Sequence, residues 1–83
     1  MRILYFAWLR AKIGLSEEAV EPPPEIATAG ALIDWLSGLS PAHKAALANR
    51  AVVRVAVNHE YVGPEHHVRS GDEVALFPPM TGG

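Results

Sequence analysis

Glu73-Val74-Ala75-Leu76-Phe77-Pro78-Pro79-Met80-Thr81-Gly82-Gly83 begins as a strand and ends as something else. The turn Ser70-Gly71-Asp72 launches it, and residues 73–77 are apolar and β-forming. Two prolines then halt the strand, because neither can donate to a ladder. They favour a stiff, extended departure from the sheet. Six residues from Pro78 onward reach about 20 Å at most, at ~3.3–3.6 Å each. Gly82 and Gly83 have no Cβ, so they can thread a narrow channel and adopt backbone angles closed to other residues. The chain therefore divides into a domain over 1–77 and a flexible tail over 78–83. A glycine-rich end alone is more often frayed chain. Strand, Phe-Pro-Pro, two residues and Gly-Gly form a far more specific pattern.

Working back from this segment, Val52-Val53-Arg54-Val55-Ala56-Val57-Asn58 is the clearest strand, with Val53, Val55 and Val57 on one side. Asn58-His59-Glu60 turns it into a short Tyr61-Val62 edge that Gly63-Pro64 ends. Thr28 is a good N-cap for a helix to about Leu39, where Leu32, Trp35, Leu36 and Leu39 fall on one 3.6-residue stripe. Ser40-Pro41 starts a second, short, alanine-rich turn or helix through Ala48. Residues 15–21 read as a poorly alternating strand ended by Pro22-Pro23-Pro24. Ile3-Leu4-Tyr5-Phe6-Ala7-Trp8-Leu9 suits a strand covered on both faces, with Arg10 to Gly14 as a connector and Gly14 as a turn or helix-stop residue. The expected architecture is α+β: a mixed sheet of four to five strands with one main helix packed on one face.

At 83 residues this is one domain with a modest core, and 49% apolar residues suffice to build it. No cysteine is present, so neither a disulfide nor a thiolate metal site holds the fold. A net charge of −2 without a Lys/Arg cluster gives no sign of a nucleic-acid partner. No run approaches the ~18 apolar residues of a membrane span, and Arg10 and Lys12 break any signal-peptide pattern. A cytoplasmic protein is expected. Glu17, Glu18, Glu21 and Glu25 read as a solvated face, with an acidic approach surface for a basic partner as the alternative, and Asp34, with no basic residue four positions on, as solvent-facing.

The four histidines invite a metal reading, but His66 and His67 are adjacent and no carboxylate or cysteine spacing completes a site. Solvated or turn histidines are expected instead. Ser16, Ser37, Ser40 and Ser70 sit in turns or caps, and no nucleophile-elbow motif occurs. Strand parity points elsewhere. If Ile3, Tyr5, Val53, Val55, Val57, Val74 and Leu76 meet the helix, then Phe6, Ala56 and Phe77 form an apolar patch on the open sheet face. Tyr61 extends this patch and Arg54 gives it a rim charge. Such patches beside a functional element usually mark an interface.

The tail Phe77 to Gly83, the Ser70-Gly71-Asp72-Glu73-Val74 turn, Val57-Asn58 and the opening Ile3-Leu4-Tyr5-Phe6-Ala7 together resemble the MoaD/ThiS-like family. In that family belongs the small, sulfur-carrier subunit of molybdopterin synthase. The likeness spans the chain and is strongest at both ends; residues 15–50 match in layout only. Met80 stands where a branched aliphatic residue is more usual. Trp8 and Ala11 replace polar and acidic residues often seen after the first strand.

The resemblance implies a β-grasp, ubiquitin-like fold and a sulfur carrier for molybdenum-cofactor biosynthesis. It implies that an E1-like adenylating enzyme uses ATP to activate Gly83, next to Gly82, and that sulfur then leaves a thiocarboxylate there. It implies no cofactor bound by the chain itself. The loaded tail, with Phe77, Pro78, Pro79, Met80 and Thr81 in the interface, is expected to enter the large synthase subunit. That subunit carries the catalytic residues and converts cyclic pyranopterin monophosphate. Alternatives are a carrier for thiazole or another sulfur-containing product, a ubiquitin-like modifier of lysines, and a binding module with an inert tail.

Overall fold

Ile3 and Tyr5 alternate with exposed Arg2 and half-buried Leu4 along the first strand, and Val74 and Leu76 do the same along the last. These two strands lie side by side at the centre of the sheet in a computed structural model that describes residues 1–79. In chain order the elements are β1 (Arg2–Tyr5), α1 (Ala7–Ile13), β2 (Glu17–Ala19), α2 (Ala29–Ser37), α3 (Pro41–Ala46), β3 (Arg54–Val57), β4 (Glu60–Val62) and β5 (Glu73–Phe77). The sheet order is β2-β1-β5-β3-β4. β1 pairs parallel with β5, and the other neighbours pair antiparallel. This five-stranded mixed sheet with helices packed on it is a β-grasp, ubiquitin-like fold. No helix among the described residues is long and apolar enough to cross a membrane.

The core forms where the inward residues of the sheet meet the helices. Ile3, Tyr5, Val55, Val57, Val74 and Leu76 pack with Leu9, Leu32, Leu36 and Leu47. Thr28 caps α2, its hydroxyl accepting from the Ala31 N–H at 3.2 Å. Ser40 caps α3 ahead of Pro41, accepting from the His43 N–H at 3.2 Å. Both caps are as expected. The buried stripe of α2 is Ala29, Leu32, Ile33 and Leu36, whereas Trp35 is half-buried and Leu39, beyond the helix end, is exposed. β3 begins at Arg54 because residues 50–52 form a 3-10 turn capped by Asn49.

The opening segment is not one strand. After Tyr5 the chain leaves the sheet: Ala7 takes φ +56°, in the left-handed region, and α1 follows. Leu9 and Ile13, four apart, then face the core, while Phe6 and Trp8 stay exposed. The expected connector from Arg10 is therefore helical. Gly14 ends it as a left-handed cap at φ +87°, its N–H donating to the Arg10 carbonyl at 2.8 Å.

The acidic face also needs correction. Glu18 is half-buried, and its Oε2 accepts from the Tyr5 hydroxyl at 2.6 Å and lies 2.7 Å from His43 Nε2. His43 is buried, not a solvated or turn histidine, and its Nδ1 lies 2.7 Å from Ser40 Oγ. With Glu18 on β2, Tyr5 on β1 and the other two at the start of α3, the network ties an edge strand to the helical layer. Asp34 is exposed as expected but pairs with Arg50, sixteen residues on.

Two outcomes test this description. A left-handed backbone costs an L-residue roughly 1–2 kcal/mol, against about 0.5–1 kcal/mol of extra chain entropy for glycine. Ala7→Gly should therefore leave the denaturation midpoint unchanged or slightly raised. Ala11→Gly, exposed in the same short helix, should cost about 1 kcal/mol. Equal losses would contradict the assigned backbone.

Burial, reinforced by the Glu18 carboxylate, pushes the Tyr5 phenol well above its ordinary range. The fold favours the protonated phenol, so its contribution is complete below ~10, the free phenol value, and is lost as pH rises. In a Tyr61→Phe background, tyrosinate absorbance should appear only as the chain unfolds in alkali. Tyr5→Phe, which removes a hydrogen bond to a charged acceptor, should cost about 1.5–3 kcal/mol in chemical denaturation.

Candidate functional site: the open sheet face and the root of the tail

Among the described residues, the helices pack on one face of the sheet, and the outward residues of the other face carry no protein layer. On β1, β5 and β3 those residues are Leu4, Ala75, Phe77 and Ala56, and register brings them into one row: Leu4 opposite Ala75, Ala75 opposite Ala56. With Phe6 and Tyr61 they line a shallow groove of about 340 Å³. The Tyr61 and Phe77 rings lie 5.3 Å apart, tilted by 40°. Phe6 is 48% exposed and Tyr61 82%, so the rings stand in solvent although each has apolar area to bury. The four patch residues expected from strand parity are thus together. Ala56, only 6% exposed, serves as floor and not as raised surface.

Phe6 is held on this face although it lies beyond the end of β1. Its N–H donates to the Leu76 carbonyl at 3.1 Å, extending the parallel ladder by one bond before Ala7 turns the chain away. Tyr61 is placed by the hairpin between β3 and β4, where Asn58 and His59 take φ +50° and +71°. Two consecutive left-handed residues match the twist of a two-residue hairpin, and asparagine tolerates that region well.

The Asn58 side chain binds this turn to the launch of β5. It accepts from the Glu73 N–H at 3.1 Å and donates to Asp72 Oδ1 at 3.1 Å. Partial burial would raise the Asp72 carboxyl, but hydrogen bonds from the Arg69 N–H and the Asn58 amide outweigh it and hold the group below its usual range. Gly71, at φ +90°, makes the turn that precedes it.

Pro78 and Pro79 are half-buried, and Pro79 lies in a second groove with Arg54, Tyr61 and Phe77. Arg54 is the register partner of Phe77 and donates from Nη1 to the Ala51 carbonyl at 3.1 Å. Met80, Thr81, Gly82 and Gly83 lie outside the described residues. Sequence reasoning missed Leu4 as part of the groove, although its parity with Phe6 was the available signal. At the far end of the groove, Glu73 lies 3.8 Å from His59 Nε2 and 3.9 Å from Arg2 Nη1. Among the described residues, no three histidine, aspartate or glutamate side chains cluster as metal ligands would.

Comparison with known proteins adds to this geometry. The molybdopterin synthase sulfur carrier subunit of Haemophilus influenzae is 37% identical over 84 residues, covering 100% of this chain and 99% of the relative. The protein of the same name from Escherichia coli is 35% identical over 83 residues, with 100% and 99% covered. Among solved structures, the H. volcanii small archaeal modifier protein 1 is similar with a TM-score of 0.74 and 30% identity, covering 95% of each chain. The model of the ThiS family matches residues 3–83. With near-complete coverage in each case, the chain belongs to the ThiS family.

Proposed function

We propose that this chain is a sulfur carrier in molybdenum-cofactor biosynthesis, with Gly83 as the atom-bearing residue and the open sheet face as its docking surface. The observation that carries the proposal is the aromatic groove lined by β5, the same strand that leads into the Pro78-Pro79 tail. Its support is the match along nearly the whole length to relatives named as sulfur carrier subunits. A surface for a partner and a slender chain end at one edge of that surface suit a group delivered into the partner's active site.

The chemistry follows from the terminus. A free α-carboxyl has a pKa of about 3.3–3.7, so Gly83 is an anion at neutral pH. A carboxylate repels nucleophiles and has no good leaving group. An E1-like enzyme supplies one: a Gly83 carboxylate oxygen attacks the α-phosphorus of ATP, expels pyrophosphate and forms an acyl-adenylate. A sulfur nucleophile then adds to the carbonyl carbon, and AMP departs with the C–O bonding pair. From a persulfide donor this gives an acyl disulfide; a second thiol attacks the donor's sulfur and leaves with it as a disulfide, and the S–S bonding pair stays on the thiocarboxylate. The chain has no cysteine, so the sulfur has no thiol side chain to rest on. On the large synthase subunit the thiocarboxylate sulfur bonds to cyclic pyranopterin monophosphate, water cleaves the acyl–sulfur bond and restores the Gly83 carboxylate, and two rounds build the dithiolene. Bases and substrate pockets belong to that subunit; Pro78, Pro79, Met80 and Thr81 span the distance to it, and Gly82 lets the end pass a constriction.

Mass spectrometry of the protein from cells containing its activating enzyme should find one terminal oxygen replaced by sulfur. One residue added after Gly83 should abolish that replacement with no change in thermal unfolding. Loading of the extended variant would overturn the proposal. Adducts on lysines of other proteins would instead favour the modifier reading, and transfer to a thiazole precursor the other carrier. Tyr61→Ala, at an exposed position, should weaken binding of the large subunit by ~2 kcal/mol, roughly thirtyfold, as loss of an aromatic anchor does. Titration calorimetry measures this.

A further inference from the structure

The tail root sits at one pole of the sheet, and that pole differs in charge from the rest of the molecule. β1 leaves the sheet after Tyr5, and β2 enters it opposite Leu4, so both ends of α1 lie at this pole. Arg54, the register partner of Phe77, lies there on the other flank. α1 carries Arg10 and Lys12 and no acid. Lys12 Nζ is held 5.9 Å from the centroid of the exposed Trp8 ring.

Nearby carboxylates do not cancel these cations. Glu17 is committed to Arg2 at 2.6 Å, and Glu18 to Tyr5 and His43. No ion pair among the described residues involves Lys12 or Arg54. At the opposite pole acids and bases are mixed: Glu73 lies 3.9 Å from Arg2 Nη1 and 3.8 Å from His59 Nε2, and Asp72 accepts from the Arg69 N–H. A chain of net charge −2 thus turns a cationic end toward whatever receives its tail.

We propose that Lys12 and Arg54 form a cationic rim that receives carboxylates bordering the opening through which a partner protein takes the tail. The inference rests on the docking reading above and adds the partner's chemistry: Asp and Glu side chains around the tail entrance. An apolar groove holds a partner but does not by itself say which way along the strands the partner lies. Cations left unpaired at the tail end, with the charges at the Glu73 end already paired, do, because only one orientation sets the partner's carboxylates against them. The rim therefore selects the orientation in which the tail meets its channel.

Stopped-flow association with the large synthase subunit, measured at several salt concentrations, tests this. Three variants are compared with the parent: Lys12→Glu/Arg54→Glu, Lys12→Gln/Arg54→Gln and Tyr61→Ala. All three alter exposed side chains, and thermal melts accompany each. Charge reversal should slow association about tenfold at low salt, and neutralisation less; both should flatten the salt dependence. Tyr61→Ala should speed dissociation and leave the salt slope intact. Parent-like association and salt slope in both charge variants, with binding weakened only by Tyr61→Ala, would overturn the rim and leave the docking face standing. Binding unchanged in all three variants would overturn the docking face and the rim with it.

Discussion

Parallel pairing of the first and last strands is the constraint on which the rest of the molecule depends. Arg2 to Tyr5 runs alongside Glu73 to Leu76 in unbroken register, and Ile3, Tyr5, Val74 and Leu76 have almost no exposed surface. Strands separated by about seventy residues can lie parallel and adjacent only if the intervening chain crosses over and covers one face. The helices do so from one side. Among the described residues nothing covers the other face, and the end of β5 emerges at the same pole as the end of β1. One pairing therefore determines both the open surface and where the tail leaves it.

Stability and accessibility are separated accordingly. The inward positions of β1, β3 and β5 are filled by branched aliphatics and one tyrosine whose hydroxyl is satisfied by Glu18. Among the described residues, no buried side-chain polar atom lacks a partner, those of the Tyr5, Glu18, His43 and Ser40 network included. The outward positions hold Phe6, Tyr61 and Phe77, aromatics whose apolar area a small domain would ordinarily cover. A surface so arranged is costly in water and favourable against a partner. That asymmetry joins the fold to the proposed carrier role.

Much of this was legible in the residues. Val53, Val55 and Val57 announced their strand by alternation, and Thr28 and Ser40-Pro41 announced two helix starts through side chains that can only satisfy free N–H groups there. The apolar patch followed from parity, because β-strand side chains alternate between faces once register is set. The opening seven apolar residues misled because a continuous run has no periodicity to distinguish strand from helix. Its signal lay further on, in Leu9 and Ile13 spaced four apart before Gly14. Glu18 and His43 were unreadable for a different reason: they lie 25 residues apart, and only the tertiary fold sets the half-buried carboxylate 2.7 Å from the buried imidazole. The Asp34–Arg50 pair is likewise a product of the tertiary fold, outside the reach of any i,i+4 rule.

The central claim is that the bare face of the sheet, continuous with the tail root, is where a partner settles. Amide chemical-shift mapping of the isotopically labelled chain, titrated with the large synthase subunit, measures this directly. The account predicts that the largest changes fall on Leu4, Phe6, Ala56, Tyr61, Ala75 and Phe77, with α2 and α3 undisturbed. Changes concentrated on α2 and α3, with the open face silent, would contradict it.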